Sequence, residues 1–149
     1  MAFWDTSALL KLYVREHDSD RFHRLIQTLP EKTVVSEFTL AEIHRALLAK
    51  VFARAVPPNF AQRAYREVRV DIEAALLEVV PFGRAVQEEF DRIIPVCYRA
   101  NPPLPLRTLD GLLLASALTA RTLELVSTDS RMRIAGGLLG LRVLPDQPQ

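Results

Sequence analysis

Ala2-Phe3-Trp4-Asp5-Thr6-Ser7-Ala8-Leu9-Leu10-Lys11-Leu12-Tyr13 sets a short apolar run, one acid and a helical pattern directly against one another. Ala2-Phe3-Trp4 reads as a buried strand ending at Asp5, while Ala8, Leu9, Leu12 and Tyr13 follow at helical spacing. Short apolar strands of this kind alternate with longer helical patterns along the chain, with no internal repeat. Thr33-Val34-Val35 is a β-branched run after Pro30, followed by apolar positions Leu40, Ile43, Leu47 and Val51 from Thr39 onward. Leu125-Val126 is a third such run, with a short helix expected over Arg131 to Ala135 and stopped by Gly136-Gly137. Leu141 to Leu144 closes the series as the last strand.

Between these units the pattern is helical. A helix starting at Asp18 would bury Phe22, Leu25, Ile26 and Leu29. Pro57-Pro58 opens another, with Phe60, Ala64, Val68, Ile72 and Leu76 on one stripe. Leu77 to Phe82 reads two ways, as the end of that helix or as a short strand at Val79-Val80-Pro81-Phe82. Val86, Phe90, Ile93, Ile94 and Cys97 continue the helical spacing, and Pro95 is expected to kink or shorten that helix. Asn101 to Pro105 holds three prolines and must be a loop, and Arg107 to Arg121 is a helix apolar nearly all round, hence central. Strands alternating with helices specify an α/β fold with a parallel sheet covered on both faces.

The chain has 149 residues, a length suited to one domain over 1–149, with 49% hydrophobic and 25% charged residues. Nineteen basic against 18 acidic residues leave a net charge of +1, so any nucleic-acid surface has to be local. One cysteine, Cys97, excludes an internal disulfide and a thiolate zinc site, and points to the reduced cytoplasm. No apolar run is long enough to span a membrane, and the N-terminus lacks the pattern of a signal peptide.

In parallel sheets ligands gather beyond the carboxyl ends of the strands. Asp5 and Asp129 lie just past strands at that edge, Glu42 in the first turn of the helix after the second strand, and Asp110 in the first turn of the central helix. Each acid has a structural reading beside the chemical one. Asp5 and Asp129 suit helix N-caps, Thr39-Leu40-Ala41-Glu42 has capping-box spacing, and Asp110 suits the positive end of a helix. Four carboxylates brought together would repel one another unless a cation joined them, and Mg²⁺ or Mn²⁺ is the kind that oxygen ligands favour. His17, His23 and His44 have no zinc-site spacing. Lys11, Arg15, Arg45, Arg107, Arg131 and Arg133 supply local positive charge, equally readable as solvated surface. Trp4, inside a buried run, belongs to the core before it belongs to a stacked base.

Asp5-Thr6-Ser7-Ala8-Leu9, Leu40-Ala41-Glu42-Ile43, Leu106 to Ala117 around Asp110-Gly111, and Ser127-Thr128-Asp129-Ser130-Arg131 together resemble a PIN domain of the VapC toxin type, from Phe3 to Val143. The resemblance implies a single-domain, Rossmann-like three-layer α/β/α sandwich with a central parallel sheet. It further implies an endoribonuclease dependent on Mg²⁺ or Mn²⁺, a homodimer, RNA as substrate and inhibition by a small antitoxin. Asp5, Glu42, Asp110 and Asp129 match the family's metal-binding acids, Thr6 or Ser7 its hydroxyl beside the first acid, and Ser127 the hydroxyl before the last. Arg131 stands where many members carry another acid, and a phosphate contact is the role open to it, as to Arg107; Leu113 stands where relatives are often polar. The same residues admit two further readings, a PIN nuclease that processes RNA without being a toxin and a non-catalytic module that binds RNA or protein.

Overall fold

The computed structural model describes residues 1–147; the last two residues of the expected 1–149 unit lie outside the described residues. Strands β1 (Ala2–Trp4), β2 (Thr33–Ser36), β3 (Leu77–Val80), β4 (Glu124–Val126) and β5 (Arg142–Leu144) form one sheet in the order β3-β2-β1-β4-β5. All four pairings are parallel. Side chains alternate across it. Ala2, Trp4, Val35, Val126 and Leu144 face one layer, built from α1 (Thr6–Leu9), α2 (Ser19–Thr28), α3 (Glu37–Phe52) and α4 (Phe60–Glu73). Phe3, Val34 and Leu125 face the other, built from α5 (Arg84–Tyr98), α6 (Thr108–Thr119) and α7 (Ser130–Leu138). This is the expected three-layer α/β/α sandwich. Trp4 is fully buried, edge-on to Phe22 with ring centroids 6.3 Å apart.

Chain order turns at β1: β2 and β3 add on one side, β4 and β5 on the other. The carboxyl ends of β1 and β4 therefore flank the topological switch point, where the helices leaving neighbouring strands diverge and open a crevice.

Several expected elements differ, each for a local reason. The first helix is one α-helical turn, Thr6–Leu9, passing into a 3-10 turn at Leu10–Leu12. α3 starts at Glu37, because Ser36, still on β2, turns its hydroxyl to accept from Phe38 N at 3.1 Å. Thr39 is thus an interior, fully buried residue, the capping-box reading fails, and Glu42 sits in the second turn. α4 ends at Glu73, so Leu76 is off the stripe and exposed, and the ambiguous segment after it is a strand shifted to Leu77–Val80. α5 runs through Pro95 to Tyr98, since Ile93 and Cys97 are both fully buried on one face and the carbonyl that loses its donor belongs to exposed Asp91. α7 runs through Gly136-Gly137. A Cβ on Gly136 would stand 2.5 Å from Leu125 Cδ2, so glycine there lets α7 lie directly on β4. The stop comes at Gly140 (φ 87°), where Leu141 N bonds Gly136 O and Gly140 N bonds Gly137 O, the paired closure of a left-handed helix end.

Candidate active site

Asp5 continues the β1 ladder, its N–H donating to Val126 O at 2.9 Å, so its side chain leaves the sheet at the switch point. It is only 4% exposed. Oδ1 accepts from Ser7 N and Oδ2 from the Ser7 hydroxyl, both at 3.2 Å, and Oδ2 also accepts from the Ser127 hydroxyl. Burial pushes the carboxyl up to about 6. The Ser127 and Ser7 bonds pull it down less than burial lifts it, and Glu42 lifts it a little further. The groups acting most strongly on this carboxylate are hydroxyls, an amide and a second acid; none is cationic.

Hydroxyls tie the neighbouring segments to that acid. Thr6 donates to Glu42 Oε1 at 2.6 Å, fixing the acid of α3 beside the start of α1. Ser7 Oγ accepts from Thr128 N at 3.2 Å, and Ser127 Oγ accepts from Asp129 N at 3.1 Å. Ser127 thus threads the two strand-end acids together. Asp129 caps α7, its Oδ1 accepting from Met132 N at 2.9 Å, as Asp5 caps α1 through Ser7 N.

Asp110 enters from the other layer. Gly111 lets α6 approach α5, because a Cβ there would lie 2.7 Å from Ile94 Cδ1 and from Phe90 Cε2. The Asp110 side chain is buried and accepts from Arg107 Nε at 3.0 Å. The exposed Arg107 guanidinium is held charged first by that bond and the Asp110 carboxylate, then by Asp129 and Glu42. One arginine therefore lies in the field of three acids carried by three different helices.

The four acids share one edge of the sheet: Ser127 joins Asp5 to the Asp129 amide, Glu42 acts on Asp5 through its charge, and Arg107 lies in the field of Glu42, Asp110 and Asp129. Among the described residues no three His, Cys, Asp or Glu side chains form a ready cage for an ion. Thr6, Ser7 and Ser127 are in hydrogen-bond contact with the acids, and Arg107 acts as a counter-ion, a role its i,i+3 spacing to Asp110 signals in the sequence. Arg131 is exposed on the first turn of α7. Arg133 is committed to the fold, donating to Ser127 O, Leu144 O and Pro145 O at 2.7–3.0 Å. Lys11 pairs with Glu16 and with Asp18, the latter at 2.9 Å. His44 stacks on Tyr65 with centroids 4.5 Å apart, while His17 and His23 are exposed. Leu113 is core. The Ser127 links to both strand-end acids are a feature that motif spacing alone leaves unread.

The PIN domain family profile matches residues 2–138. The chain belongs to the PIN domain family. Over 144 residues, 95% of each chain, this PIN domain is 32% identical to Ribonuclease VapC46 of Mycobacterium tuberculosis. Its fold is similar to that of VapC20 of the same organism, a toxin that cleaves the sarcin-ricin loop, with a TM-score of 0.65, 17% identity and coverage of 91% and 95% of the two chains. It is also similar to a toxin–antitoxin complex from Klebsiella pneumoniae, with a TM-score of 0.59, 16% identity and coverage of 87% and 88%. No helix among the described residues is long and apolar enough to cross a membrane.

Proposed function

We propose that this PIN domain is an endoribonuclease, the toxin of a toxin–antitoxin pair, and that Asp5, Glu42, Asp110 and Asp129 hold Mg²⁺ or Mn²⁺ at its active centre. The observation that carries this reading is Asp5: a carboxylate almost wholly removed from water, at the switch point, pushed up to about 6 with another acid beside it and no cation among its strongest influences. A fold keeps such a group when a ligand compensates it. The donors are all oxygen, which suits a hard divalent cation and does not suit zinc. The 32% identity to a ribonuclease over 95% of both chains supports RNA as the substrate.

Bound there, the ion would supply Lewis-acid stabilisation of phosphate charge and a more acidic water. The chain's own contribution is positional. Asp5 and Asp129, fixed at strand ends by Ser7, Ser127 and the α7 amide, present oxygens in a fixed direction. Glu42, whose Oε1 accepts from Thr6, and Asp110, whose Oδ2 accepts from Arg107, would help to hold the ion, or would take the proton of the attacking water while the leaving ribose oxygen takes one from solvent as its P–O bond breaks. Arg131, exposed on the first turn of α7, is free to reach a phosphate.

The protein partners follow from the relatives. A small antitoxin covering the site, and a second copy of this chain, would meet a surface that carries Leu48, Phe52 and Val70 on α3 and α4, with Phe52 92% exposed. Residues 1–149 would act as one unit in the reduced cytoplasm, with Cys97 free and buried. The test is cleavage of an RNA oligonucleotide with Mn²⁺ and with EDTA. The parent should cleave only with metal, and Asp5→Asn and Asp129→Asn, folded by circular dichroism, should lose at least about a hundredfold in rate. Parent-like cleavage by both variants would refute the assignment.

A further inference from the structure

Beside the acids lies a second, differently charged hollow. A cavity of about 430 Å³ is lined by Asp18, Arg21 and Phe22 at the start of α2, by Ser127, Thr128 and Arg133 around the start of α7, and by Pro145 and Gln147. Ser127 connects it to the acids: its hydroxyl donates to Asp5 and its carbonyl oxygen accepts from Arg133 Nη1 at 2.7 Å. One residue spans the two, so the Asp5 carboxylate and the Arg133 guanidinium stand on the order of 10 Å apart or less.

Among the described residues the charges lining this cavity are unbalanced. Arg133 bonds only to backbone carbonyls, and Arg21 bonds to the carbonyl of Asp146; among the described residues neither forms an ion pair. Asp18, the carboxylate on the wall, is already paired with Lys11 at 2.9 Å. The Asp146 carboxylate offsets Arg133 in part but faces Arg142 at 3.8 Å. Arg133 is less basic than a free arginine, through burial and then through the charge of Arg21. Two guanidiniums thus share one cavity, close enough for the charge of Arg21 to act on Arg133, which is clamped by three carbonyls, and Ser127 and Thr128 of the acid-bearing loop belong to the same lining. A phosphate relieves that repulsion, and guanidinium geometry suits it.

We propose that the cavity lined by Arg21, Ser127, Thr128 and Arg133 is a subsite for an RNA backbone phosphate adjacent to the one cleaved at the acids. The inference rests on the ribonuclease reading and adds the direction of the strand: the RNA leaves the acids across the β4–α7 loop toward the N-terminal half of α2. Arg133 is part of the fold, so Arg21 is the residue that tests it.

The measurement is the affinity of the full-length chain for a short single-stranded RNA, followed by fluorescence anisotropy in EDTA over a series of salt concentrations. Each phosphate contact on a single strand contributes about 0.7 to the slope of log affinity against log salt. Arg21→Gln should weaken binding at low salt by about three- to tenfold and lower the slope by about 0.7, and Arg21→Glu should weaken it further. Arg84→Gln, on the opposite layer and 92% exposed in its side chain, should match the parent in both quantities. A parent that binds RNA while Arg21→Gln keeps its affinity and slope overturns the subsite alone. Equal losses in Arg21→Gln and Arg84→Gln overturn it as well, leaving a diffuse charge effect. A parent that binds no RNA in EDTA overturns the subsite, while the ribonuclease reading stands or falls separately on metal-dependent cleavage of the oligonucleotide.

Discussion

Asp5→Asn should make the metal-free protein more stable, although Asp5 sits in the middle of the site. The carboxyl is raised from 3.8 to about 6 in the folded chain by desolvation. A raised acid favours folding fully below its unfolded value and loses that contribution as pH rises through the folded one. The charged Asp5 therefore opposes folding increasingly between about pH 4 and pH 6, and by a constant amount above that. About two pKa units correspond to about 3 kcal/mol. Asparagine removes the charge but gives up a charge-assisted bond, since one of its termini donates where Ser7 and Ser127 now donate to Oδ2. Both hydroxyls can rotate to accept, so the loss is about 1 kcal/mol. A net gain of about 2 kcal/mol remains, or about 4–8 °C in Tm for a chain of this size. Thermal melts in EDTA at about pH 8 and about pH 4 read it directly: at the lower pH most of the charge term is gone, and the lost bond leaves the variant level with its parent or slightly below it. Saturating Mn²⁺ should stabilise the parent by about 3 kcal/mol at a hundred times Kd and leave Asp5→Asn nearly unmoved. A variant no more stable than its parent at about pH 8, with a gap that does not change with pH, would refute the account of Asp5 as an uncompensated buried charge.

Arg107→Ala removes the cation lying among Asp110, Asp129 and Glu42, and should tighten Mn²⁺ binding by about two- to fivefold in titration calorimetry; weaker binding would mean that Arg107 organises the acids instead of competing for them. Gly136→Ala forces a methyl against Leu125, which is fully buried and has little room to yield, so denaturant melts should show a loss of about 1–3 kcal/mol. Ala75 and Arg121 end α4 and α6 at φ 58° and 57°, where a side chain is strained, so Ala75→Gly and Arg121→Gly should each gain about 1 kcal/mol in the same assay.

The fold was legible where local and tertiary forces agree. β-branched and aromatic runs at Ala2–Trp4, Thr33–Ser36 and Glu124–Val126 are strands because nothing in them competes with burial on both faces. Local pattern and structure part at helix ends, where a single contact decides. Thr39 has the spacing of a cap, yet Ser36 reaches Phe38 N first, and Thr39 is drawn into the core. Gly136-Gly137 has the composition of a stop, yet what fixes glycine at 136 is the nearness of Leu125, a contact between elements that no local pattern encodes. In the site, positions relative to strand ends brought the acids to one edge on paper. Their burial did not follow from spacing: Asp5 is 4% exposed because α1 and the loop after β4 close over it, which depends on strand order.

Cap and ligand are not rival roles for Asp5 and Asp129. A helix cap draws on one carboxylate oxygen: Oδ1 of Asp129 takes the Met132 amide, and Oδ1 of Asp5 takes the Ser7 amide. Capping fixes the carboxylate plane against a helix end and sets the direction of the second oxygen. At Asp5 that second oxygen is held by two hydroxyls. Hydroxyls, unlike an amide, can turn their protons away and leave lone pairs toward a cation. An arginine or lysine in their place would neutralise Asp5 permanently and leave nothing for a divalent ion to correct. The serines keep the acid in position and leave its charge uncompensated, and that unmet charge is what an incoming cation would bind.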